Sequence, residues 1–371
     1  IIDRKKKHFQ IYLLAANKNI SVISKQIKKY KPKFFIISNE KIFEKIKKKF
    51  NKSNTKILNN FDFLKFSKSD FTISAIPGIN GLRPTIKMVK HSKNILIANK
   101  ESVIYGWNLL KKEAFKNKTK IIPVDSEHFS ILKLIENHNL KNIEMIYITA
   151  SGGPFLNLPL RKFNKIKPKE AIKHPKWKMG KKISVDSATL MNKILELIEA
   201  QKIFNIPKNK IDILIHPESL VHAIIRFKNG LTKFIYHETS MIIPIANAIF
   251  NDNFVLDELN KKKTQNTKNR YIKNLNFKRV DPKIFPIIKI KNRLNEYPAT
   301  PIIINTCNEI LVDQFLGKKI AFLSIPKIIL SILNDSNYKK YAIKEPKNLN
   351  QILKVYKWTK TATLKKLNFR K

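Results

Sequence analysis

Acidic side chains are scarce in this chain, 27 Asp and Glu against 74 Lys and Arg, yet three of them fall in two compact polar motifs. The run KIIPVDSEH ends on Asp125, Ser126, Glu127 and His128, and the run MNKILE, just after ISVDSAT, carries Asn192, Lys193 and Glu196. Asp125 and Glu127 are two residues apart, so in an extended segment both project to one face. Asn192 and Glu196 share a helix surface, as do Lys193 and Glu196. Three carboxylates, with water and substrate oxygens, suit Mg²⁺ or Mn²⁺, hard cations that keep open positions. Each acid taken alone is more often a strand-end residue or a solvated charge. The three together point to a divalent-metal site at Asp125, Glu127 and Glu196, beside an anion site.

The anion site has its own donors. Ser151-Gly152-Gly153 follows an apolar strand, and glycines there let backbone N–H groups approach an oxyanion. By itself SGG reads as a plain turn. With Ser187, Asn192 and Lys193 it reads as a grip on a phosphate monoester, Lys193 supplying the charge. The loop His174-Pro175-Lys176-Trp177-Lys178-Met179-Gly180 has two readings: a lid that excludes water, or a Trp packed on the core. His174 is either a donor to a substrate oxygen or an ordinary surface histidine. Asn99-Lys100-Glu101-Ser102 joins a strand to a helix. It reads equally as an N-cap with a helix-start acid and as Lys100 aimed at substrate or cofactor.

Composition narrows the partners. The net charge is +47, which invites a nucleic-acid reading. However, lysine is spread along the whole chain, and Lys, Asn, Ile and Phe are all abundant, as in an A/T-rich genome. No nucleic-acid partner is expected. The charge should instead raise the on-rate of anionic substrates. A single cysteine, Cys307, excludes intramolecular disulfides and argues for a reducing compartment. Its apolar neighbours make it a buried thiol rather than a nucleophile. No apolar run reaches the roughly 18 residues of a membrane span. The first residue is not Met, so the lack of a targeting peptide carries no information.

Helices and strands alternate over 1–124: strands in FQIYLLAAN, FFIISN, FTISAIP, NILIAN and KIIPVD, and helices between them. That pattern predicts an α/β domain with a parallel sheet covered on both faces, ligands lying at the strands' carboxyl ends. Residues 125–250 read as an α+β domain whose last two strands are joined by the hairpin Asn229-Gly230. Residues 251–282 are polar and read as a linker. Residues 283–371 read as a small helical bundle.

At this level of detail the chain resembles the 1-deoxy-D-xylulose 5-phosphate reductoisomerase family. ANKES, PVDSEH, TASGGPF, HPKWKMGKKISVDSATLMNK, ILELIEA and LIHPESLVH carry the likeness, which runs from about residue 10 to beyond residue 320. The resemblance implies a homodimer. Each chain would have an N-terminal NADPH-binding Rossmann-like domain, a central catalytic α+β domain, a linker and a C-terminal helical bundle. It implies a carbon-skeleton rearrangement to an aldehyde, then hydride transfer from NADPH, giving 2-C-methyl-D-erythritol 4-phosphate. Asp125, Glu127 and Glu196 would be the metal ligands. Ser151, Ser187, Asn192 and Lys193 would hold the phosphate, with Ser126, His174 and Lys100 on the sugar-like backbone. Trp177 and Met179 would belong to a flap, Met179 and Gly180 lying near the nicotinamide. Lys18, Asn19, Asn99 and Glu101 would contact NADPH. A bacterial cytoplasm is the implied location, a plastid the other.

The sequence departs from the family at three places. The family's first strand and its Gly-Ser-Thr-Gly-Ser-Ile-Gly loop are missing, Asn17 stands where the family usually has Gly, and 237–244 (HETSMIIP) differs while keeping Met241. On this reading the first sheet has an unpaired neighbour. NADPH should then bind poorly, and the chain is a fragment of an active enzyme or a decayed copy. Two rivals are a different Rossmann oxidoreductase of the semialdehyde-dehydrogenase type and a basic binding protein or inactive remnant. The position of Cys307 argues against the first, and the intact metal and phosphate motifs against the second.

Overall fold

A computed structural model describes residues 1–62, 67–251, 253–259 and 274–368. The N-terminal part runs β1 (Leu13–Ala16), α1 (Ile20–Tyr30), β2 (Phe34–Ile37), α2 (Glu40–Lys49), β3 (Lys56–Leu58), β4 (Ser69–Ser74), α3 (Leu82–Val89), β5 (Ser92–Ile97), α4 (Lys100–Lys116) and β6 (Lys120–Pro123). Local signals explain the starts. The side-chain oxygens of Asn19 and Asn39 accept from Val22 N and Ile42 N and so cap α1 and α2. Each helix buries one stripe, Ile23 and Ile27 on α1 and Phe43 and Ile46 on α2. The strand FFII is apolar throughout because both faces of a parallel sheet are covered.

The expected single parallel sheet is in fact two. One has the order β1-β2-β3 and the other β4-β5-β6, all parallel. Among the described residues no hydrogen-bonded ladder joins β1 to β4. Side chains close the seam instead: Ile36, with Leu13 and Phe34, packs in one cluster with Ile95, Ile97 and Val103. Strand β3, only three residues long, is too short to show a period in the sequence.

The central part contains α5 (Ser126–Ile135), β7 (Ile143–Ala150), α6 (Pro168–Ala171), α7 (Lys181–Ala188), α8 (Met191–Phe204), β8 (Ile211–Ile215), β9 (Val221–Phe227), β10 (Thr232–Tyr236), α9 (Ile242–Phe250) and α10 (Leu256–Leu259). Its sheet has the order β10-β9-β7-β8-β11, where β11 is Lys278–Arg279. Only β7 and β8 pair in parallel. The segment expected to be a plain linker therefore supplies an edge strand, Lys278 opposite Ile215 and Arg279 opposite Leu214. Two side chains hold it there. Asn276 Nδ2 donates to Glu218 Oε1 at 2.6 Å, and His216 Nδ1 lies 2.9 Å from Asn276 O. Residues 252 and 260–273 of that segment lie outside the described residues.

Helices α11 (Thr300–Leu316), α12 (Ser324–Leu333), α13 (Tyr338–Ala342) and α14 (Leu349–Asn368) form the C-terminal part. They do not stand apart. Ile146 and Ile148 of β7, Ile194 and Leu197 of α8, Ile303 and Cys307 of α11 and Ile329 of α12 share one continuous apolar core. Among the described residues no helix is long and apolar enough to cross a membrane.

Candidate active site

The strand ends deliver the polar loops to one side of the molecule. Asp125 follows β6 and occupies the N-cap position of α5, with Glu127 in that helix's first turn. The extended geometry expected for 125–127 is corrected here, because Ser126 already begins the helix. The two carboxylates still meet at one site, since negative charge is favoured where the first helical N–H groups point outward. The second motif is aimed by a strained joint. Leu190, between α7 and α8, has φ 68°, a left-handed conformation costing a non-glycine residue about 1–2 kcal/mol. Its side chain is buried in the core, which holds the joint, and Asn192, Lys193 and Glu196 follow it on α8.

A cavity of about 180 Å³ collects these residues. Asp125, Ser126, Glu127, Ser151, His174, Trp177, Met179, Ser187, Asn192, Lys193 and Glu196 all line it. One carboxylate oxygen each from Asp125, Glu127 and Glu196 lies within 4.8 Å of the others. Two ammonium groups sit among them. Lys100 Nζ is 2.8 Å from Asp125 Oδ2 and 2.9 Å from both Glu196 Oε1 and Asn192 Oδ1. Lys193 Nζ bonds Glu127 Oε1 and lies 2.6 Å from Glu196 Oε2. Both readings of Asn99-Lys100-Glu101-Ser102 hold: Asn99 caps α4 with Glu101 in its first turn, and Lys100 reaches the carboxylates.

These contacts set the protonation states. Burial acts to lower the Lys100 ammonium, but the charges of Asp125, Glu196 and Glu199 outweigh it and hold it well above its usual range. Burial would raise Glu127, yet the Lys193 charge, with the His222 ring nearby, holds it well below the usual carboxylate range. Glu196 is pushed up by burial and by the Glu127 charge. The donor set is all oxygen, hard and already host to positive charge, so it fits a hard divalent cation.

The anion end is ordered by His174. Its Nδ1 accepts from the backbone N–H of Trp177 at 2.8 Å and of Lys176 at 3.2 Å. Burial, and then the Lys193 charge, lower its pKa to about 4, so near pH 7 the ring is neutral and its proton is on Nε2. That N–H donates to Ser151 Oγ at 3.0 Å, and Gly153 N donates to the same oxygen at 3.0 Å. Both acceptor positions of the Ser151 hydroxyl are thus filled, and its own proton is left to donate. Trp177 is half-buried and edge-on to His222 at 6.0 Å between ring centroids. It covers the cavity rather than the core.

The residues expected to contact NADPH form a separate group. Lys18 and Asn19 are exposed after β1, and Asn19 caps α1. Asn99 is buried. Its Oδ1 accepts from Ser102 N at 2.7 Å as the N-cap of α4, and its Nδ2 donates to Ile76 O, bracing the loop after β4. Glu101 bonds Lys182 at 3.1 Å. Gly180 is exposed as the N-cap of α7, next to half-buried Met179. Of this group only Met179 also lines the cavity.

Several residues escaped the sequence reading. His222 Nδ1 is 3.9 Å from Glu127 Oε1, and its ring stacks on His237 at 4.1 Å. His128 Nε2 lies 2.8 Å from Glu196 O, and Nδ1 is 3.5 Å from Glu199 Oε2. Asp125, His128 and Glu199 offer a second set of closely spaced ligand atoms. The available signals were modest: His222 closes the motif LIHPESLVH, and His128 and Glu199 are one and three residues from recognised acids. Cys307 is fully buried in α11 with its thiol pushed up to about 12 by burial. Burial and the raised thiol argue against a nucleophilic role.

Known proteins match this arrangement. Residues 1–106 match the family model for 1-deoxy-D-xylulose 5-phosphate reductoisomerase, and 121–204 and 237–362 match models of its C-terminal domains. The reductoisomerase of Pelagibacter ubique (strain HTCC1062) is 46% identical over 358 residues, covering 95% of this chain and 91% of that one. The Wolbachia sp. enzyme (subsp. Drosophila simulans, strain wRi) is 38% identical, covering 90% and 85%. The solved Zymomonas mobilis reductoisomerase in complex with NADPH superposes with a TM-score of 0.86 at 30% identity, over 99% of this chain and 94% of that one. A DOX-P reductoisomerase in complex with NADPH, fosmidomycin and magnesium gives 0.89 at 28% identity, over 99% and 94%. The chain belongs to the 1-deoxy-D-xylulose 5-phosphate reductoisomerase family.

Proposed function

We propose that this protein converts 1-deoxy-D-xylulose 5-phosphate into 2-C-methyl-D-erythritol 4-phosphate, by rearranging the carbon skeleton and reducing the resulting aldehyde, for isoprenoid synthesis. The observation that carries the reading is the union, in one cavity, of the Asp125, Glu127 and Glu196 carboxylates with the Ser151, Ser187 and His174 donors. When bound, NADPH supplies the hydride, and Mg²⁺ or Mn²⁺ held by the three carboxylates polarises the carbonyl.

The chain's own groups do the rest. Ser151 donates its free proton to a phosphate oxygen, and Ser187, Asn192 and Lys193 complete the grip. Lys100 and Ser126 face the sugar-like portion, with Lys100 held cationic by its carboxylate neighbours. Orientation by these fixed donors lowers the entropy cost of both steps. Trp177, carried on the His174-anchored loop, would exclude water from the cavity during the reduction. Lys18, Asn19, Asn99, Glu101, Met179 and Gly180 are read as the cofactor group, because they gather at the carboxyl ends of β1 and β5 and beside the flap.

We read 1–124 as the cofactor domain, 125–250 as the catalytic domain, 251–282 as the connection and 283–371 as the helical domain. A homodimer is supported by exposed Leu231 and Phe234 on or beside edge strand β10, and sedimentation velocity tests it. The single buried cysteine supports a reducing compartment, a bacterial cytoplasm or a plastid. The deciding experiment follows NADPH oxidation by the protein with 1-deoxy-D-xylulose 5-phosphate and Mn²⁺. Oxidation that needs the sugar phosphate and stops on chelation supports the reading. A folded protein carrying the family's N-terminal strand and glycine loop that gives none with either Mg²⁺ or Mn²⁺ overturns it.

A further inference from the structure

Away from the carboxylate cluster, three parts of the fold meet in a second polar network. Helix α4 contributes Glu101 and Tyr105, helix α7 contributes Lys182 and Asp186, and helix α11 contributes Asn308 and Glu309. Lys182 Nζ lies 3.1 Å from Glu101 Oε1 and 3.2 Å from Asp186 Oδ2. Asn308 Nδ2 donates to Asp186 Oδ1 at 2.7 Å. The Tyr105 hydroxyl donates to Glu309 Oε2 at 3.2 Å, and Asn305 Nδ2 donates to Glu309 Oε1 at 3.3 Å.

The Glu309 carboxylate also lies near the loop after β4, without bonding it. A methyl group built on Gly78 would meet its Oε1 at 3.4 Å. That loop is the one Asn99 braces through Ile76 O. The network is unbalanced, with three carboxylates, Glu101, Asp186 and Glu309, around one ammonium, Lys182. Burial pushes Glu309 up to about 7 despite the opposing Lys182 charge. A half-buried, largely desolvated carboxylate of this kind is costly, and nothing in the chemistry assigned above uses it.

We propose that Glu309, on a C-terminal helix, is a positioning residue for cofactor binding: through Tyr105 it fixes α4 and thereby Glu101 and Asn99 at the start of that helix. The inference rests on the reading of Glu101 and Asn99 as cofactor contacts. It adds that the helical part of the chain sets the geometry of the NADPH end. The phosphate donors Ser151 and Ser187 touch none of the groups bonded to Glu309, so the two affinities should separate.

The test measures NADPH affinity by fluorescence titration, with KM for 1-deoxy-D-xylulose 5-phosphate alongside. Glu309→Ala removes two hydrogen bonds to a carboxylate, so NADPH binding is expected to weaken about tenfold or more. The sugar-phosphate KM should stay within about twofold, below the effect of one lost hydrogen bond. Glu309→Gln keeps an acceptor for Tyr105 and should restore NADPH binding to near the parent value. Tyr105→Phe should weaken it in the same direction and decides the matter if Glu309→Ala does not fold. Equal losses for both ligands, or unchanged NADPH binding in Glu309→Ala and Tyr105→Phe, overturn the inference alone. The titrations use a parent that carries the family's N-terminal strand and glycine loop, and failure of that parent to bind NADPH overturns the cofactor reading and this inference with it.

Discussion

Gly153→Ala should damage both stability and substrate binding, by amounts the backbone geometry specifies. Gly153 has φ 63°, so any side chain there pays about 1 kcal/mol for the left-handed conformation. The added Cβ would also lie 3.0 Å from Ser187 O and 3.1 Å from Ala188 Cα. Both are backbone atoms at the end of α7, so relief requires the helix end to move by a few tenths of an ångström. Overpacking of this kind costs about 1–3 kcal/mol, giving a total near 2–4 kcal/mol when strain is added. Ser187 moves with that helix end. A misplacement of about 1 Å can cost a hundredfold, so a shift of this size should raise the sugar-phosphate KM about tenfold.

Gly230→Ala is the control. It has φ 86° and no atom within 4 Å of the added Cβ, so it isolates the strain. A loss of about 1 kcal/mol with unchanged KM is expected there. Denaturant unfolding and initial rates against 1-deoxy-D-xylulose 5-phosphate measure both quantities. If Gly153→Ala matched Gly230→Ala in KM, the contact with Ser187 would not shape the phosphate site and the argument would be wrong.

Other perturbations have equally definite outcomes. Glu196→Gln removes a carboxylate shared by Lys100 and Lys193; Mn²⁺ affinity and turnover should both fall by more than the roughly 10–100-fold typical of an outer partner, and parental Mn²⁺ affinity would refute its role as a ligand. Glu309 has a folded pKa raised from 4.5 to about 7, so the folded state keeps a proton that the unfolded chain releases in that range. Its contribution to stability therefore falls as pH rises from 4.5 to about 7. Glu309→Gln should accordingly be more stable than the parent above that range and match it below; urea midpoints across the range would show a constant difference if the reasoning fails. Cys307 should react with a thiol reagent only after denaturation, since it is buried with its thiol pushed up to about 12; rapid labelling of the native protein would place it elsewhere.

Much of the site was legible in the chain because its residues cluster in short motifs. Asp125, Glu127 and Glu196 converge as expected, and Ser151, Ser187 and His174 join them. The helix start at Ser126 is not legible, since an acid-rich helix start and a strand end share the same residue types. The split of the first sheet was not legible either. Each strand shows its own apolar run, but which edges pair depends on contacts far away in sequence. For the same reason His222 was missed: its role depends on β9 lying beside α5, and no local pattern records that. The edge strand at Lys278 was hidden by its charge, because its anchoring comes from Asn276 and His216 rather than from apolar alternation.

The bond between Asn308 and Asp186 spans 122 residues, which has a consequence during synthesis. At about 5–20 residues per second, roughly 6–25 s separate the emergence of its two ends from the ribosome. Through that interval α7 exists without α11, so Asp186 has no Asn308 and Tyr105 has no Glu309. The nascent chain carries the Asp125, Glu127 and Glu196 motifs long before it acquires the helix that braces α4 and α7 and packs against α8. A translational pause before residue 300 would therefore hold a folding intermediate with charged helix faces still open to solvent, and release from that pause would complete the site.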